Sequence, residues 1–224
     1  MSTVAAVRRG LARTTWVQRA LCFGFLLALV WTEWHTRGLG ARVGKDLLVY
    51  LAAPAAFAAL HGKHLGWRVD RAALRNTVLL ALFVLPFYLV GSSLPSVREF
   101  YPMWGGTRET LLAHSVQQFL VVLAAETYYR GLLCVGVSDL GRKAAFISPV
   151  IYAFHHLGKP PIELVLSGPT DVLFGLVDYE SNSILPSVVA HGLGLALLDW
   201  LVLHDPIIPT ETVLSWLRWL PIPL

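Results

Sequence analysis

A glutamate and an arginine stand one helical turn apart in a largely apolar stretch of the chain. Glu126 and Arg130 belong to the run 125–131, which reads AETYYRG. An i, i+4 spacing places both side chains on one face of a helix, where they form an ion pair. Ionisable groups in an apolar helix are costly and need a partner or a purpose. Two interpretations stay open: a pair that locks helices together, or part of a reactive site.

Three histidines in two later segments could complete such a site. His155 and His156 end an apolar run, and Lys159 and Glu163 follow them closely. Of two adjacent histidines only one can point into a helical bundle, and spacing does not decide which. His191 lies further on, among small residues. A carboxylate and two imidazoles in one low-dielectric cavity could deprotonate a water molecule and then protonate a leaving amine. The chemistry would be hydrolysis.

The same residue types are also usual zinc ligands, so a metal site is the alternative. The chain has no H-E-x-x-H or C-x-x-C spacing, and neither His156 nor His191 has an evident carboxylate partner in the sequence. A serine hydrolase is not indicated, because no G-x-S-x-G elbow occurs. We therefore predict a site without a metal ion or other cofactor.

The composition shows that water is not the main solvent of this chain. Hydrophobic residues make up 55% of the 224 residues, charged residues 14%, and the mean hydropathy is +0.60. Soluble domains are about one quarter charged. The net charge of +4 comes from short Lys and Arg clusters between apolar runs, which is typical of membrane flanks and not of nucleic-acid binding. The two cysteines, Cys22 and Cys134, lie in apolar stretches and do not suggest a disulfide framework.

Apolar segments near the length of a membrane-spanning helix recur along the chain. We predict an all-α, polytopic transmembrane bundle of about seven spans, with a range of six to eight, in one membrane domain, 1–224. Within it, 1–108 holds the N-terminal spans, 109–204 the motif-bearing core, and 205–224 an interfacial tail rich in tryptophan and proline. The predicted spans are 17–36, 45–62, 75–93, 109–137, 143–157, 162–179 and 183–204.

The basic residues that flank these spans bear on orientation. The clusters at 8–19, 63–75 and 142–143 fall on one side if the spans alternate, and they favour a cytoplasmic N-terminus. The first apolar run is read as a retained span and not a signal peptide, because no small-residue cleavage site follows it. A transporter would instead show inverted internal repeats, and the sequence has none that we detect.

At the residues above, the sequence resembles the CPBP family, which groups CAAX prenyl endopeptidases with bacteriocin-processing intramembrane proteases. The motifs of that family are E-E-x-x-x-R, F-x-x-x-H and H-x-x-x-N/D, each on its own helix. Here 125–130, 152–156 and 191–195 occupy those places in that order. The resemblance covers roughly residues 115–200. The residues after His156 are similar to a bacterial subgroup, some of whose members are sorting proteases acting on C-terminal membrane anchors.

The resemblance implies an intramembrane endopeptidase that hydrolyses a peptide bond near the membrane anchor of a protein or peptide substrate, within a bacterial inner membrane. It implies that position 125 carries the general base and that Glu126 pairs with Arg130 as a scaffold. His156 would bind or activate the water, and His191 would act near the oxyanion. The supporting residues would be Arg130, Tyr152, Lys159 and Glu163.

Two positions depart from the family motifs. Ala125 stands where the family has the glutamate that activates water, and Leu195 stands where it has Asn or Asp. Another donor could replace the second group, whereas the loss of the first is serious. Three explanations remain open: an enzyme that uses Glu126 alone, a natural pseudoprotease, or an inactivating Glu-to-Ala change. A catalytically dead member would act as a membrane binding or scaffolding module.

Overall fold

The computed structural model describes residues 15–224, and the basic residues Arg8, Arg9 and Arg13 of the predicted N-terminal cluster lie outside that range. Every regular element within it is helical. The elements in chain order are α1 Trp16–Glu33, α2 Leu39–Leu60, α3 Arg71–Gly91, α4 Pro95–Phe100, α5 Leu111–Leu132, a 3₁₀ segment Val135–Phe146, α6 Ser148–His155, α7 Pro161–Ser181, α8 Leu185–Val202 and α9 Thr210–Leu217.

Three of these helices, α2, α3 and α8, are long and apolar enough to cross a membrane. Helix α5 and the 3₁₀ segment meet at 78° and would add a fourth span if they are counted as one broken span. The part of the chain from 15 to 224 therefore holds three candidate spans, or up to four. The predicted helical membrane protein is confirmed, and the predicted number of about seven spans is not.

The difference in span number has physical causes in two predicted spans. The segment 143–157 contains the end of the 3₁₀ segment and helix α6, whose eight residues reach about 12 Å, well short of the hydrocarbon thickness. The segment 162–179 lies within α7, which is long enough at 21 residues but contains four acidic side chains. Those residues are Glu163, Asp171, Asp178 and Glu180. Asp171 and Asp178 are buried and require polar partners within the protein.

A turn between α7 and α8 ties the motif-bearing half of the chain to the N-terminal half. Asn182 ends α7 in the left-handed conformation, with φ +47°, which asparagine adopts more readily than most residues. The Ile184 N–H then donates to the Gly66 carbonyl at 2.9 Å. Gly66 has φ +73°, and a Cβ there would lie 3.2 Å from the Ile184 nitrogen. A glycine is therefore required where the two segments meet.

Helix α8 packs most extensively against α3 and α5, and small residues let it approach them. A Cβ on Gly194 would lie 2.2 Å from the Tyr88 ring of α3, and one on Gly192 would lie 2.5 Å from the Phe119 ring of α5. Both glycines are buried. Close helix contacts through small residues are typical of membrane proteins, where association depends on packing.

The C-terminal tail, predicted as an interfacial segment, is partly docked on the bundle. Val213 of α9 is fully buried in an apolar cluster that includes Leu94 and Val202. The Thr210 hydroxyl donates to the Ser93 carbonyl at 3.0 Å. Trp216 and Trp219 remain exposed. Exposed tryptophans beside a docked apolar face are compatible with a membrane-water interface.

The contact between Gly194 and Tyr88 generates a stability prediction. We expect Gly194→Ala to lower the free energy of unfolding by about 1–3 kcal/mol, because the added methyl overlaps the tyrosine ring and the helices must separate. Gly168→Ala in α7 is the matched control, since a Cβ there meets nothing within 4 Å. Denaturation in detergent micelles, followed by circular dichroism, measures both variants. Equal midpoints for the two variants would contradict this packing argument.

Candidate active site

The first component of the site is the ion pair on α5. Both Glu126 and Arg130 are fully buried, and the Arg130 Nε lies 3.2 Å from the Glu126 Oε2. The pair predicted from the i, i+4 spacing is therefore present. Glu126 is the last residue of the α-helical part, and Arg130 lies in the π-helical turn Thr127–Leu132 that follows it. The turn places Arg130 in the protein interior, where its charge requires partners.

Helix α8 brings His191 to the same carboxylate. Its Nδ1 lies 2.7 Å from the Glu126 Oε1, so the two oxygens of Glu126 face different partners. An ionised carboxylate only accepts hydrogen bonds, and the His191 Nδ1 therefore carries the hydrogen. In the neutral imidazole the Nε2 is left as an acceptor. In the sequence, neither motif histidine has an evident carboxylate partner. For His191 this was wrong, because that partner is Glu126.

Arg130 has a second carboxylate partner that the sequence analysis missed. Its guanidinium Nη1 donates to Asp171 of α7, and the Ser148 hydroxyl of α6 donates to the other oxygen of the same carboxylate. Asp171 is fully buried. One guanidinium thus lies between two carboxylates from different helices, and α5, α7 and α8 are connected through Arg130 and Glu126. Such a buried network holds its members in place only when they are all paired.

A second missed carboxylate lies two helical turns further along α7. Asp178 accepts hydrogen bonds from both the hydroxyl and the backbone N–H of Ser187, and the N–H donor lies at 3.2 Å. Ser187 precedes His191 by one turn of α8. A spacing of seven residues places Asp171 and Asp178 on one face of α7. Two carboxylates in an apolar stretch are costly and require partners, and this signal could have indicated both residues from the sequence.

His156 lies at the end of α6 and has other contacts. Its Nδ1 donates to the Tyr152 carbonyl at 2.8 Å, and its ring packs against the Tyr152 ring in a tilted arrangement with centroids 4.0 Å apart. Its Nε2 lies 3.6 Å from the Glu163 Oε1, beyond hydrogen-bond distance. As in His191, the Nδ1 hydrogen is committed to a protein acceptor, and the Nε2 of the neutral ring is an acceptor.

Lys159, Glu163 and Tyr101 form a polar cluster beside His156. The Lys159 Nζ lies 2.9 Å from the Glu163 Oε1 and 3.0 Å from the Tyr101 hydroxyl. The Tyr101 hydroxyl donates to the Glu163 Oε2 at 2.8 Å. Burial, with the neighbouring Glu163 carboxylate, raises the pKa of Tyr101 well above its ordinary value. Tyr101 therefore stays protonated as the donor that holds Glu163 near His156.

His155 faces a different environment from His156. It interacts with the Tyr129 hydroxyl, lies 3.4 Å from the Tyr50 hydroxyl through its Nδ1, and packs on Trp31 with ring centroids 4.3 Å apart. These residues belong to, or pack against, the large apolar cluster of the bundle. The structure thus separates the two adjacent histidines, which spacing could not do.

The two positions that depart from the motifs have apolar surroundings. Ala125 is partly buried and packs against the core cluster that contains Tyr129 and Tyr152. Leu195 is buried in the separate cluster that contains Val122 and Leu198. Residue 125 therefore lies on the side of α5 that belongs to the Tyr152 cluster, whereas residue 126 faces His191.

The structure brings Glu126, Arg130 and His191 into direct contact, while the contacts of His156 are with Tyr152 and Glu163. Among residues 15–224, no three or more His, Cys, Asp or Glu side chains are grouped to hold a metal ion. The oxygens of Glu126 are directed to Arg130 and to the His191 Nδ1. Zinc therefore does not fit the donor set of the motif residues as they are arranged.

Comparison with known families gives one match, over part of the chain. Residues 107–196, which carry all three motifs, match the family described as type II CAAX prenyl endopeptidase Rce1-like. This match supports membership of the chain in the CPBP family of membrane proteases, as the motifs predicted. Comparisons with curated proteins and with solved structures gave no match.

The buried pairing of Arg130 generates a prediction. We expect Asp171→Asn to lower the free energy of unfolding by roughly 3 kcal/mol, because it removes one of the two charges that balance a fully buried guanidinium. Glu180→Gln on the same helix is the matched control. It breaks the exposed pair with Arg142, which contributes less than about 1 kcal/mol. Unfolding in micelles measures both, and a loss no larger for Asp171→Asn than for Glu180→Gln would refute the argument.

Proposed function

We propose that the chain has the architecture of an intramembrane endopeptidase that hydrolyses a peptide bond near the membrane anchor of a protein or peptide substrate. The observation that carries the proposal is the hydrogen bond from the His191 Nδ1 to Glu126, which joins the first and third motifs across two helices. The match of residues 107–196 to a protease family supports it. We propose a membrane-anchored substrate because the apolar helices of the chain lie in a bilayer.

The reaction would use the free nitrogens of the two motif histidines. A water molecule would donate to the Nε2 of His156, and a base at position 125 would take its other proton. The resulting hydroxide would attack the substrate carbonyl carbon, and the same base would then pass the proton to the leaving amine. His191 would first take a proton from solvent at its Nε2. The resulting imidazolium, stabilised by Glu126, would donate a hydrogen bond from its Nε2 to the oxyanion and keep that proton when the peptide C–N bond breaks.

Glu126 is poorly placed to replace the missing base at position 125. One of its oxygens accepts from His191 and the other lies against Arg130. A carboxylate held in both directions and paired with a guanidinium is a weak base. We infer that Glu126 is a scaffold and that the chain with Ala125 has little or no hydrolytic activity. Ala125 equally favours the alternative function, a module that binds membrane-anchored polypeptides without cutting them.

Further parts of the proposal follow from the donor set and from the resemblance. We infer a reaction without a metal ion or other cofactor, since the motif carboxylate is committed to Arg130 and His191. We place the protein in a bacterial inner membrane with its N-terminus in the cytoplasm, and we consider C-terminal anchors of sorted proteins as substrates. Lipid and the anchored polypeptide are the proposed partners, and nucleic acid is not.

Restoring a carboxylate at position 125 tests the proposal. We expect Ala125→Glu to raise the cleavage rate at least about 100-fold, because a positioned general base contributes that much or more. The measurement uses purified protein in proteoliposomes and two fluorogenic peptides, a farnesylated C-a-a-X peptide and an unmodified peptide with the same residues. Cleavage sites are read by mass spectrometry.

Two further variants make this test specific. Ala125→Gln adds similar bulk without a base and should remain as slow as the original chain. Ala125→Glu combined with His191→Ala should lose the restored activity. If the glutamate and glutamine variants both bind the peptides and neither cuts them, the binding-module function replaces the protease. Rate enhancement that persists without His191 would show that the proposed site is not responsible.

A further inference from the structure

Tyr88 of α3 brings a tyrosine hydroxyl to the helix that carries His191. A Cβ on Gly194 would lie 2.4 Å from the Tyr88 hydroxyl oxygen, so this oxygen rests on the backbone of α8 at a place where the glycine leaves room for it. Gly194 follows His191 by three residues, which is a rise of about 4.5 Å and a position about 60° away around the helix. The hydroxyl therefore lies near the face of α8 that carries His191, less than one helical turn further along.

The Tyr88 hydroxyl has no hydrogen-bond partner among residues 15–224. By contrast, the Tyr128 hydroxyl of α5 donates to the Gly24 carbonyl at 2.7 Å. A tyrosine hydroxyl that leaves water on folding usually finds such a partner within the protein. Tyr88 is half-buried. Its O–H group is therefore available to donate to a molecule that the protein itself does not supply.

Carboxylates from two parts of the candidate site act on this hydroxyl. Glu163 lies beside His156. Glu126 accepts a hydrogen bond from His191. Both carboxylates are within electrostatic reach of the Tyr88 hydroxyl. The two motif histidines are also within electrostatic reach of each other. The Tyr88 hydroxyl thus faces the region between the two groups of motif residues.

Packing on two sides holds the Tyr88 ring in place. The ring packs against the apolar cluster that contains Leu195 and against the one that contains Phe174. The Phe174 ring in turn lies 6.5 Å from the His191 ring, measured between centroids. Tyr88 also borders a groove of about 330 Å³ between α3 and α8. The hydroxyl is therefore held on a rigid support beside open space, as a group that acts on a substrate requires.

We propose that the Tyr88 hydroxyl donates a hydrogen bond to the oxyanion that forms on the substrate carbonyl, beside the donor of His191. This inference rests on the proposed hydrolytic function. Leu195 stands where the family motif has Asn or Asp, and its apolar side chain has no hydrogen to donate. Tyr88 would supply a donor to the same region from another helix, since Gly194 and Leu195 are adjacent in α8.

The role of Tyr88 would be electrostatic and would involve no proton transfer. A tyrosine hydroxyl is a neutral donor that needs no prior uptake of a proton, whereas His191 must be protonated before its Nε2 can donate. The hydroxyl would keep its hydrogen while the tetrahedral intermediate forms and breaks down. Its contribution would be to stabilise the negative charge that develops on the carbonyl oxygen.

The kinetic test uses Ala125→Glu as the parent, because the chain with Ala125 is expected to have little or no activity. Adding Tyr88→Phe should lower kcat by about 100-fold, which is the usual effect of removing one oxyanion donor. KM should change little, since the oxyanion is present only in the transition state and the intermediate. Tyr179→Phe, near the end of α7, is the matched control and should leave both constants unchanged. The rates are measured in proteoliposomes with the peptide that the parent cuts.

Unfolding in micelles separates this role from a structural one. Tyr88→Phe removes no hydrogen bond within the part of the chain that the structure describes, and it should unfold at the same midpoint as its parent. Tyr128→Phe removes the hydroxyl that donates to the Gly24 carbonyl and should unfold at a lower midpoint. A loss of kcat together with a lower midpoint for Tyr88→Phe would indicate a structural role and contradict the inference.

Binding of an unreactive peptide gives a second readout in the chain with Ala125. In this peptide the bond that the parent cuts, identified by mass spectrometry, is replaced by a phosphinate whose charged oxygen stands for the oxyanion. The chain should bind the phosphinate peptide more tightly than the amide peptide. Tyr88→Phe should reduce this preference at least about tenfold, because only the transition-state mimic uses the donor, and should leave the affinity for the amide peptide unchanged.

The outcomes distinguish this inference from the proposed function. If Ala125→Glu cuts a peptide and adding Tyr88→Phe leaves kcat and the phosphinate preference unchanged, the role of Tyr88 is wrong while the hydrolytic function stands. If Ala125→Glu cuts neither peptide, the hydrolytic function fails and the role of Tyr88 fails with it.

Discussion

The arrangement of the motif helices depends on one buried guanidinium. Arg130 is fully buried and can be accommodated only because Glu126 and Asp171 lie on either side of it. Glu126 in turn receives His191 of α8, and Asp171 belongs to α7. The requirement to neutralise one charge thus fixes three helices relative to one another. The orientation of the His191 ring is a consequence of that electrostatic balance.

In this arrangement the two adjacent positions of the first motif, 125 and 126, would serve two separate tasks, one reactive and one structural. Glu126 is committed to structure, and the neighbouring position, which faces the Tyr152 cluster, is the one from which a base could act. Because consecutive residues of a helix point about 100° apart, adjacent acidic residues can serve a scaffold and a reaction without sharing partners. On the proposed function, Ala125 would leave the scaffold complete and the reactive half absent. A chain with intact packing would then lack activity.

Part of the site was predictable because it is local in sequence. The Glu126 and Arg130 pair follows from helical spacing, and the match to the protease family follows from the three motifs. The contact between Glu126 and His191 was not predictable, because it depends on how two helices meet. Asp171 was not predicted as a site residue because it lies outside the three motifs, like the other acidic residues of α7. The predicted number of about seven spans is not confirmed, partly because apolar composition does not reveal that α6 is only eight residues long.

The π-helical turn at Thr127–Leu132 has a consequence for how the chain is compared with relatives. Such a turn accommodates one more residue than an α-helical turn, and so the phase of the apolar repeat slips by about 100° after Glu126. A wheel drawn from Leu111 at 3.6 residues per turn would therefore misplace the residues at the end of this turn, whereas it still recovers the Glu126–Arg130 pair. A single-residue gap in a homologue's helix would be absorbed here, and the helix face that carries Glu126 would stay unaltered.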